Sequence, residues 1–150
     1  ADYISSQMRD SSYITPKKQR LWFERISRRV DQVHWVVWCK GCRTGYMNLK
    51  GTRNLGDEKF LEGGLYIGQS KVRHGLLGYA TALMQLELVF EHLDIESYRT
   101  SYRNSNVSAH RFNQDLGYVI TGESGGFTNI EIKKPQYLET KNRLSRYFQA

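Results

Sequence analysis

A loop in the middle of the chain places cationic side chains and glycines directly ahead of an apolar helical pattern. Glycines allow a backbone to approach a ligand closely, and the first N–H groups of a helix lack partners within the helix. This combination predicts that residues 76–81 bind a phosphate or a pyrophosphate. The loop lacks the GxxxxGKS/T and GxGxxG patterns of the common nucleotide-binding loops. Its chemically distinctive residues are Lys71, Arg73, His74, Gly75 and Gly78.

A second motif occupies residues 106–118, after the next predicted strand. With the loop, it is similar to the two motifs of the GNAT superfamily of acyltransferases, which use acetyl-coenzyme A. The family's loop pattern, Q/R-x-x-G-x-G/A, is matched in its second half by Gly78, Tyr79 and Ala80. The two motifs also occur in the family's order. The later pattern, N-x-x-S/A-x-R-x-x-x-x-L-G-F/Y, is matched by Asn106, Ala109, Arg111, Leu116, Gly117 and Tyr118.

The resemblance extends to the amino-sugar and ribosomal-protein-type branch of the superfamily. Residues 19–23, with the sequence QRLWF, resemble the amino-sugar N-acetyltransferases of bacterial pseudaminic-acid synthesis. The resemblance implies acetyl transfer from acetyl-coenzyme A to a primary amine by direct attack. The acceptor that it favours is an amino sugar or a nucleotide-linked amino sugar. A protein N-terminus, an antibiotic and a polyamine remain open alternatives.

The resemblance also implies a fold and a cofactor site. The fold is a mixed, mostly antiparallel α/β sheet flanked by helices, with two strands splayed around acetyl-coenzyme A, which serves as a co-substrate; no metal is implied. The family's Gln or Arg falls on Gly75, so Arg73 or His74 is expected to replace that side chain. The implied contacts are Ile67, Gly68 and Gln69 along the pantetheine arm, Leu76, Leu77, Gly78, Tyr79, Ala80 and Thr81 around the pyrophosphate, and Asn106 and Arg111 near the far arm.

Acetyl transfer to an amine needs a group that takes a proton and a donor that stabilises the developing oxyanion. Glu62 is the first choice for the base, because family members often place a glutamate on or before this strand. His74 is the second choice, since an imidazole titrates near neutral pH. The backbone N–H of Gly68, on the splayed strand, is the expected oxyanion donor.

The position of the acid is the main departure from the family's pattern. Many members carry a tyrosine seven positions after the motif asparagine, where it protonates the leaving thiolate, and this chain has Asn113 there. Tyr102, Tyr118 or the low proton affinity of the thiolate itself would have to complete the reaction. With Gly75, this departure favours an alternative, a non-catalytic GNAT-fold module that binds a coenzyme A species or a protein partner.

The elements that position these residues read as one domain over residues 1–150, which is long enough for one hydrophobic core. Thr15-Pro16 starts a helix whose stripe of Trp22, Ile26 and Val30 is expected to pack on a sheet. Both faces of the strand at 33–39 are apolar, which predicts a central or covered strand. The further strands are predicted at 44–49, 63–69, 95–102, 118–123 and 127–133, and the further helices from Tyr79, from Asn106 and over 137–148.

The helix from Tyr79 is expected to bury a face that contains Ala80, Leu83, Met84 and Leu88. Cys39 and Cys42 have CxxC spacing across a predicted turn. No second pair of ligands completes a zinc site, so reduced thiols are expected.

The net charge of +7 fits a polyanion, but the basic residues are scattered and form no single stripe. An anionic small-molecule acceptor is therefore favoured over a polyamine and over nucleic acid. No apolar run approaches a membrane span and the first residues carry no signal pattern, so a cytoplasmic protein without a membrane partner is expected. The exposed strand of the final hairpin offers an edge for a homodimer.

Overall fold

The computed structural model describes residues 14–68 and 76–148. The predicted order of helices and strands is confirmed. The helices are α1 (Pro16–Ile26), α2 (Leu77–Glu87), α3 (Val107–Asp115) and α4 (Lys134–Leu144). The strands are β1 (Gln32–Cys39), β2 (Cys42–Lys50), β3 (Phe60–Ile67), β4 (Ser97–Arg103), β5 (Val119–Ser124) and β6 (Phe127–Lys133). Short helical turns occupy Leu55–Asp57, Leu88–His92 and Ser145–Tyr147.

The six strands form one sheet in the order β1-β2-β3-β4-β6-β5. All neighbours run antiparallel except β3 and β4, which run parallel and are connected through α2. This arrangement confirms the expected mixed, mostly antiparallel sheet with flanking helices. β5 is the outer strand at one end, and pairing of two copies through it stays a prediction.

β3 and β4 pair over a short stretch and then separate. The pairs are Phe60 with Ser97, Leu61 with Tyr98 and Glu62 with Arg99. Beyond Glu62, β3 continues to Ile67 beside β2, whereas β4 continues to Arg103 beside β6. The expected splay is therefore present and begins directly after Glu62. We call the space between the two separated strands the strand gap.

One face of the sheet packs against α2 and α4 around an apolar cluster. The buried members are Leu49, Leu61, Leu86, Val89, Phe90, Ile95, Tyr98, Ile132 and Tyr137. The predicted buried face of α2 is wrong, because Met84 is 58% exposed while Ala82 and Leu86 are buried. α2 is apolar on most of its sides, so periodicity could not select the side that meets the sheet.

The opposite face and the outer edge also differ from expectation. α1 begins at the predicted Thr15 cap, but it ends at Ile26 and buries none of its residues, so the predicted stripe through Val30 is not a packed face. β1 is the edge strand of the described sheet, with Val36 53% and Trp38 57% exposed. A run of apolar and aromatic residues predicts a strand but does not identify what covers it. α4 begins earlier than predicted, because a proline is tolerated in its first turn.

The two predicted hairpins are confirmed by their turns. Lys40 and Gly41 have φ values of 50° and 76°, the positive values that a two-residue turn between twisted strands requires. Gly125-Gly126 repeats this conformation between β5 and β6. Cys39 and Cys42 flank the first turn as cross-strand partners, and both thiols are free.

A buried carboxylate organises the loop between β2 and β3. Glu58, 5% exposed, accepts hydrogen bonds from the backbone N–H groups of Thr52 and Arg53 and from the hydroxyl of Thr52. The bonds from the N–H of Thr52 and then of Arg53 lower the pKa of Glu58 below its ordinary value. Since a lowered carboxyl pKa means that the folded chain favours the ionised form, Glu58 stabilises the fold as a carboxylate.

Replacing Glu58 by glutamine is expected to lower the stability to urea at neutral pH. The contribution of the carboxylate is complete above the unfolded pKa of about 4.3 and is lost as the pH falls through the lower folded pKa. The difference between wild type and Glu58→Gln should therefore shrink in acid. Urea unfolding of both proteins between neutral pH and pH 3 measures it. Glu139→Gln, at an exposed position on α4, is the control, and an equal loss there would contradict the prediction.

Candidate active site

β3 presents part of its backbone to the strand gap. The N–H of Gly68 donates to the carbonyl oxygen of Thr44 at 2.7 Å, which fixes the hydrogen-bonding phase of the β2–β3 ladder. Since such pairs recur at every second residue, the N–H and C=O groups of Leu65 and Ile67 point away from β2. β4 has separated from β3 at this level, so these groups face the strand gap. This edge can pair with an extended ligand arm as it would with an added strand.

The same bond bears on the predicted oxyanion donor. The N–H of Gly68 is already bonded to Thr44, so the structure does not favour Gly68 in that role. The N–H groups of Leu65 and Ile67 have the required direction. Of the residues predicted along the pantetheine arm, Ile67 thus lies with its backbone toward the strand gap, Gly68 pairs with β2, and Gln69 lies outside the described residues.

The first turn of α2 has the features predicted for an anion site. Leu76 occupies the N-cap position and offers no side-chain acceptor, and the N–H of Ala80 bonds to its carbonyl oxygen at 2.9 Å. The preceding N–H groups, of Leu77, Gly78 and Tyr79, are those that a helix leaves without internal partners. Thr81 is buried and its hydroxyl donates to the carbonyl of Leu77 at 2.8 Å. Arg73, His74 and Gly75 lie outside the described residues.

α3 packs beside this first turn. The ring of Phe112 lies 4.9 Å from the ring of Tyr79, and a Cβ added to Gly78 would stand 3.4 Å from Phe112. The hydroxyl of Tyr79 donates to Oδ2 of Asp115 at 2.7 Å. Burial, and then this bond, raise the pKa of Tyr79 to about 12. The side chain of Tyr79 therefore links two helices, and only its backbone is available to the predicted anion site.

Asn106 and Arg111, the predicted contacts of the far cofactor arm, both belong to the α3 segment. Oδ1 of Asn106 accepts the N–H of Ala109 at 3.0 Å and so caps the helix. Arg111 is exposed on the same helix. Asn106 therefore caps α3, and any contact with a ligand would use a side chain that already has this structural role.

The candidates for the acid differ in their surroundings. Asn113, at the family's tyrosine position, donates through Nδ2 to the carbonyl of Ala109 at 2.8 Å. Tyr118 is partly buried next to Tyr98, and desolvation, followed by Tyr98, raises its pKa well above the ordinary value. Tyr102, 8% exposed, instead shares a 2.6 Å hydrogen bond with Nδ1 of His110. This pairing with a second titratable group favours Tyr102 over Tyr118.

A cleft of about 550 Å³ opens where β3 and β4 separate. We call it the polar cleft. Glu62 lines it and is exposed, and it lies within β3, which begins at Phe60 rather than at the predicted residue 63. Some of its lining residues, such as Glu62, lie on the sheet face opposite the buried core, and others, such as Ile130, lie on the core face. The cleft therefore reaches between the two separated strands, into the strand gap. Its lining consists of Asn48, Lys50, Glu62, Gly63, Gly64, Arg99, Thr100, Ser101, Thr121, Asn129 and Ile130.

Charges of both signs line the polar cleft. Glu62 lies between Lys50 and Arg99 in the registers of its two neighbouring strands. Nε of Arg99 is 3.1 Å from Oε1 of Glu131, and the hydroxyl of Ser97 bonds to the same oxygen. The bond from Ser97, and then that from Arg99, lower the pKa of Glu131 below its ordinary value. The cleft therefore offers cationic groups beside the carboxylate of Glu62, which suits a polar ligand with an anionic part.

Sequence reasoning missed a row of aromatic side chains beside the polar cleft. The rings of His34 and Tyr46 lie 5.8 Å apart, and those of Tyr46 and Tyr66 lie 5.3 Å apart. Trp22 of α1 meets His34 edge-on at 5.3 Å. On β3, Tyr66 takes the same alternate positions as Glu62, so the period of two along the strands could have identified this row.

The described part of the chain contains no cluster of three or more His, Cys, Asp or Glu side chains that could hold a metal ion. Within residues 14–68 and 76–148, no helix has both the length and the apolarity to cross a lipid bilayer.

In its splayed sheet and flanking helices, the described part of the chain is similar in fold to solved GNAT acetyltransferases. One similar solved structure is the Campylobacter jejuni N-acetyltransferase PseH in complex with acetyl coenzyme A, which is 18% identical, with 79% of each chain covered and a TM-score of 0.66. FdhC, a nucleotide-linked sugar GNAT solved without ligand, is 17% identical over 92% of this chain and 82% of its own, with a TM-score of 0.75.

A third similar structure is AAC(6')-Ib in complex with ribostamycin and coenzyme A. It is 14% identical over 94% of this chain and 87% of its own, with a TM-score of 0.75. No protein-family model and no curated protein matches the sequence. The expected GNAT architecture is thus confirmed at the level of the fold.

Proposed function

We propose that this chain is an N-acetyltransferase that transfers the acetyl group of acetyl-coenzyme A to a primary amine by direct attack. One observation carries the proposal: the exposed carboxylate of Glu62 lies where the strand gap and the polar cleft meet. A thioester along the edge of β3 and an amine in the cleft would reach each other beside this carboxylate. Complexes of similarly folded proteins with acetyl coenzyme A and with coenzyme A support the choice of donor.

On the donor side, the backbone provides most of the proposed contacts. The C=O groups of Leu65 and Ile67, and the N–H of one of these two residues, would pair with the amide groups of the pantetheine arm, as strand neighbours do. The N–H groups of residues 76–81 would receive the pyrophosphate at the start of α2. The remaining proposed contacts are Gln69, Arg73, His74 and Gly75 in the preceding loop, and Asn106 and Arg111 at α3.

On the acceptor side, Glu62 would act as the general base, directly or through a water molecule. The nitrogen attacks the thioester carbon to form a tetrahedral oxyanion, its proton passes to Glu62, and the carbon–sulfur bond then breaks to release the thiolate. The N–H of Leu65 or Ile67, rather than that of Gly68, would stabilise the oxyanion. The leaving thiolate takes its proton from Tyr102, paired with His110, or from solvent. His74 remains the alternative base.

We propose an amino sugar as the acceptor, free or nucleotide-linked. FdhC is a nucleotide-linked sugar GNAT, and AAC(6')-Ib was solved with ribostamycin, so two proteins of this fold support a sugar-like acceptor. The polar cleft agrees with this class, because hydroxyl and amide groups line it alongside Lys50 and Arg99. These two cations would bind a phosphate-bearing acceptor more tightly than a polyamine, which they would repel.

A second candidate function has one observation in its favour. Asn113 stands at the family's acid position and donates into its own helix, so no phenol is available there. A non-catalytic module that binds a coenzyme A species would not need that acid. The two candidates differ in turnover and not in binding of the donor.

Calorimetric titration with acetyl-coenzyme A, followed by a free-thiol assay, tests the proposal. The assay panel contains glucosamine, UDP-glucosamine, ribostamycin, spermidine and a peptide with a free N-terminus. Binding with turnover on glucosamine or UDP-glucosamine is expected. Binding without thiol release on any amine would favour the module, and absence of binding would contradict both candidates.

Replacing Gly78 by leucine is expected to weaken acetyl-coenzyme A binding by about 100-fold, the cost of losing two hydrogen bonds to a charged group. The added side chain would press against Phe112 and so displace the first turn of α2, whose N–H groups are proposed to receive the pyrophosphate. Calorimetry measures the affinity, and circular dichroism verifies that the variant is folded.

Two variants control for the added bulk. Gly122→Leu places the same side chain on β5, where no atom lies within 4 Å of an added Cβ, and should bind like wild type. Gly78→Ala adds only a Cβ at 3.4 Å from Phe112 and should show a smaller loss. A folded Gly78→Leu variant with wild-type affinity would remove the first turn of α2 from the donor site.

A further inference from the structure

The side-chain amide of Asn48 is held in one orientation by a chain of hydrogen bonds across β1 and β2. Its Nδ2 donates to the hydroxyl oxygen of Tyr46 at 3.1 Å. The same hydroxyl bonds to Nδ1 of His34, and Nε2 of His34 lies 3.0 Å from Oε1 of Gln32. These four side chains take alternate positions on the face of the sheet that carries Glu62.

The direction of each bond follows from the protonation of His34. Burial, and then the charge of Lys50, lower the pKa of His34, so the ring is neutral and carries one proton. Oε1 of Gln32 can only accept, which places that proton on Nε2 and makes Nδ1 an acceptor. Tyr46 then donates its O–H to Nδ1 and accepts from Asn48. The chain of donors therefore runs from Asn48 through Tyr46 and His34 to Gln32.

One hydrogen-bond acceptor remains unused at the Asn48 end of this series of hydrogen bonds. Oδ1 of Asn48 has no hydrogen-bond partner among residues 14–68 and 76–148, and Asn48 lines the polar cleft. Its cross-strand partner is Gly64, where an added Cβ would stand 4.0 Å from the amide, so nothing on β3 covers it there. From the core face, Nε2 of Gln85 donates to the carbonyls of Asn48 and Gly64 at 2.9 and 3.2 Å and fixes the backbone.

We propose that Asn48 orients the acceptor amine, an inference that rests on the proposed function. Tyr46 and His34 are positioning residues, which hold the side chain of Asn48 in place. A neutral primary amine has two N–H donors and one lone pair. Oδ1 of Asn48 accepts one N–H, and the second N–H is left for Glu62, which lines the same cleft. The lone pair then points away from both oxygens, toward the strand gap. Because Oδ1 only accepts, this position selects for a nitrogen that carries hydrogen.

Steady-state kinetics with glucosamine as the acceptor test the proposal. In Asn48→Ala, kcat/KM for glucosamine should fall about ten-fold or more, as for the loss of a buried hydrogen bond, while KM for acetyl-coenzyme A stays unchanged. Tyr46→Phe should show a smaller loss in the same parameter, because it releases the amide without removing it. Asn142→Ala, at an exposed position on α4, is the matched control. Wild-type kcat/KM for glucosamine in Asn48→Ala would overturn the inference.

A binding measurement separates failure of this inference from failure of the proposed function. Glucosamine is titrated into ¹⁵N-labelled protein, and the side-chain amide signal of Asn48 is identified by its loss in Asn48→Asp. A shift of that signal with glucosamine, and none with glucose, supports the inference even if no acetyl transfer occurs. An unchanged signal at saturating glucosamine overturns it.

Discussion

Replacing Glu62 by glutamine is expected to lower kcat for the amine acceptor by about 100-fold or more, the usual contribution of a positioned general base. The exchange keeps the size of the side chain but removes its ability to take a proton. Glu62 does not belong to the proposed donor site, so affinity for acetyl-coenzyme A should be unchanged. The free-thiol assay measures the rate, and calorimetry measures the affinity.

Two further variants make this experiment decisive. Glu96→Gln changes an exposed carboxylate directly before β4, outside the lining of the polar cleft, and should keep wild-type activity. His74→Gln tests the alternative base. A full loss in His74→Gln together with wild-type kcat in Glu62→Gln would reassign the role to His74. Wild-type kcat in both variants would show that neither group takes the proton in the rate-limiting step.

Replacing Leu86 by alanine is expected to lower the free energy of unfolding by about 2–5 kcal/mol. Leu86 is fully buried in the apolar cluster between α2 and the sheet, so its removal leaves a cavity that the surrounding side chains fill only in part. Urea unfolding followed by circular dichroism measures the change. Because this loss is a large fraction of the stability of most small domains, a lower thermal unfolding midpoint is also expected.

Met84, one half-turn earlier on the same helix, provides the matched control. Its side chain is 58% exposed, so Met84→Ala should change the free energy of unfolding by about 0.5 kcal/mol or less. A loss in Met84→Ala equal to that in Leu86→Ala would mean that the face predicted from periodicity, and not the observed one, packs on the sheet.

Much of the fold could be predicted from local signals. The Thr15-Pro16 start of α1 and the turns at Lys40-Gly41 and Gly125-Gly126 have short-range causes, namely a cap, a fixed φ and positive φ values. The buried face of α2 could not be predicted, because a helix that is apolar on most sides is oriented by its contacts with the sheet. The position of β1 at the edge of the described sheet also depends on contacts between elements, so local signals could not predict it.

Some features of the candidate site could be predicted from the sequence, and others could not. The uncapped start of α2 follows from Leu76 at the N-cap, whose side chain has no acceptor, and the choice of Glu62 follows from its position beside a predicted strand. The hydrogen bond from Gly68 to Thr44 depends on the register of two strands, which the sequence does not reveal. The orientation of Asn48 depends on Tyr46 and His34, on the same and the neighbouring strand, so it appears only once the strands are paired.

The short parallel ladder between β3 and β4 also bears on how the chain folds. β1, β2 and β3 are consecutive antiparallel neighbours. β4, β5 and β6 form a second group, in which each strand pairs with a strand that is close to it in the sequence. The three pairs at residues 60–62 and 97–99 join these groups, and they require the whole intervening segment with α2 to close as a loop. Contacts between residues that are far apart in the sequence form slowly during folding. The β3–β4 pairing that ends at the strand gap is thus also the strand pairing that connects the group β1–β3 to the group β4–β6.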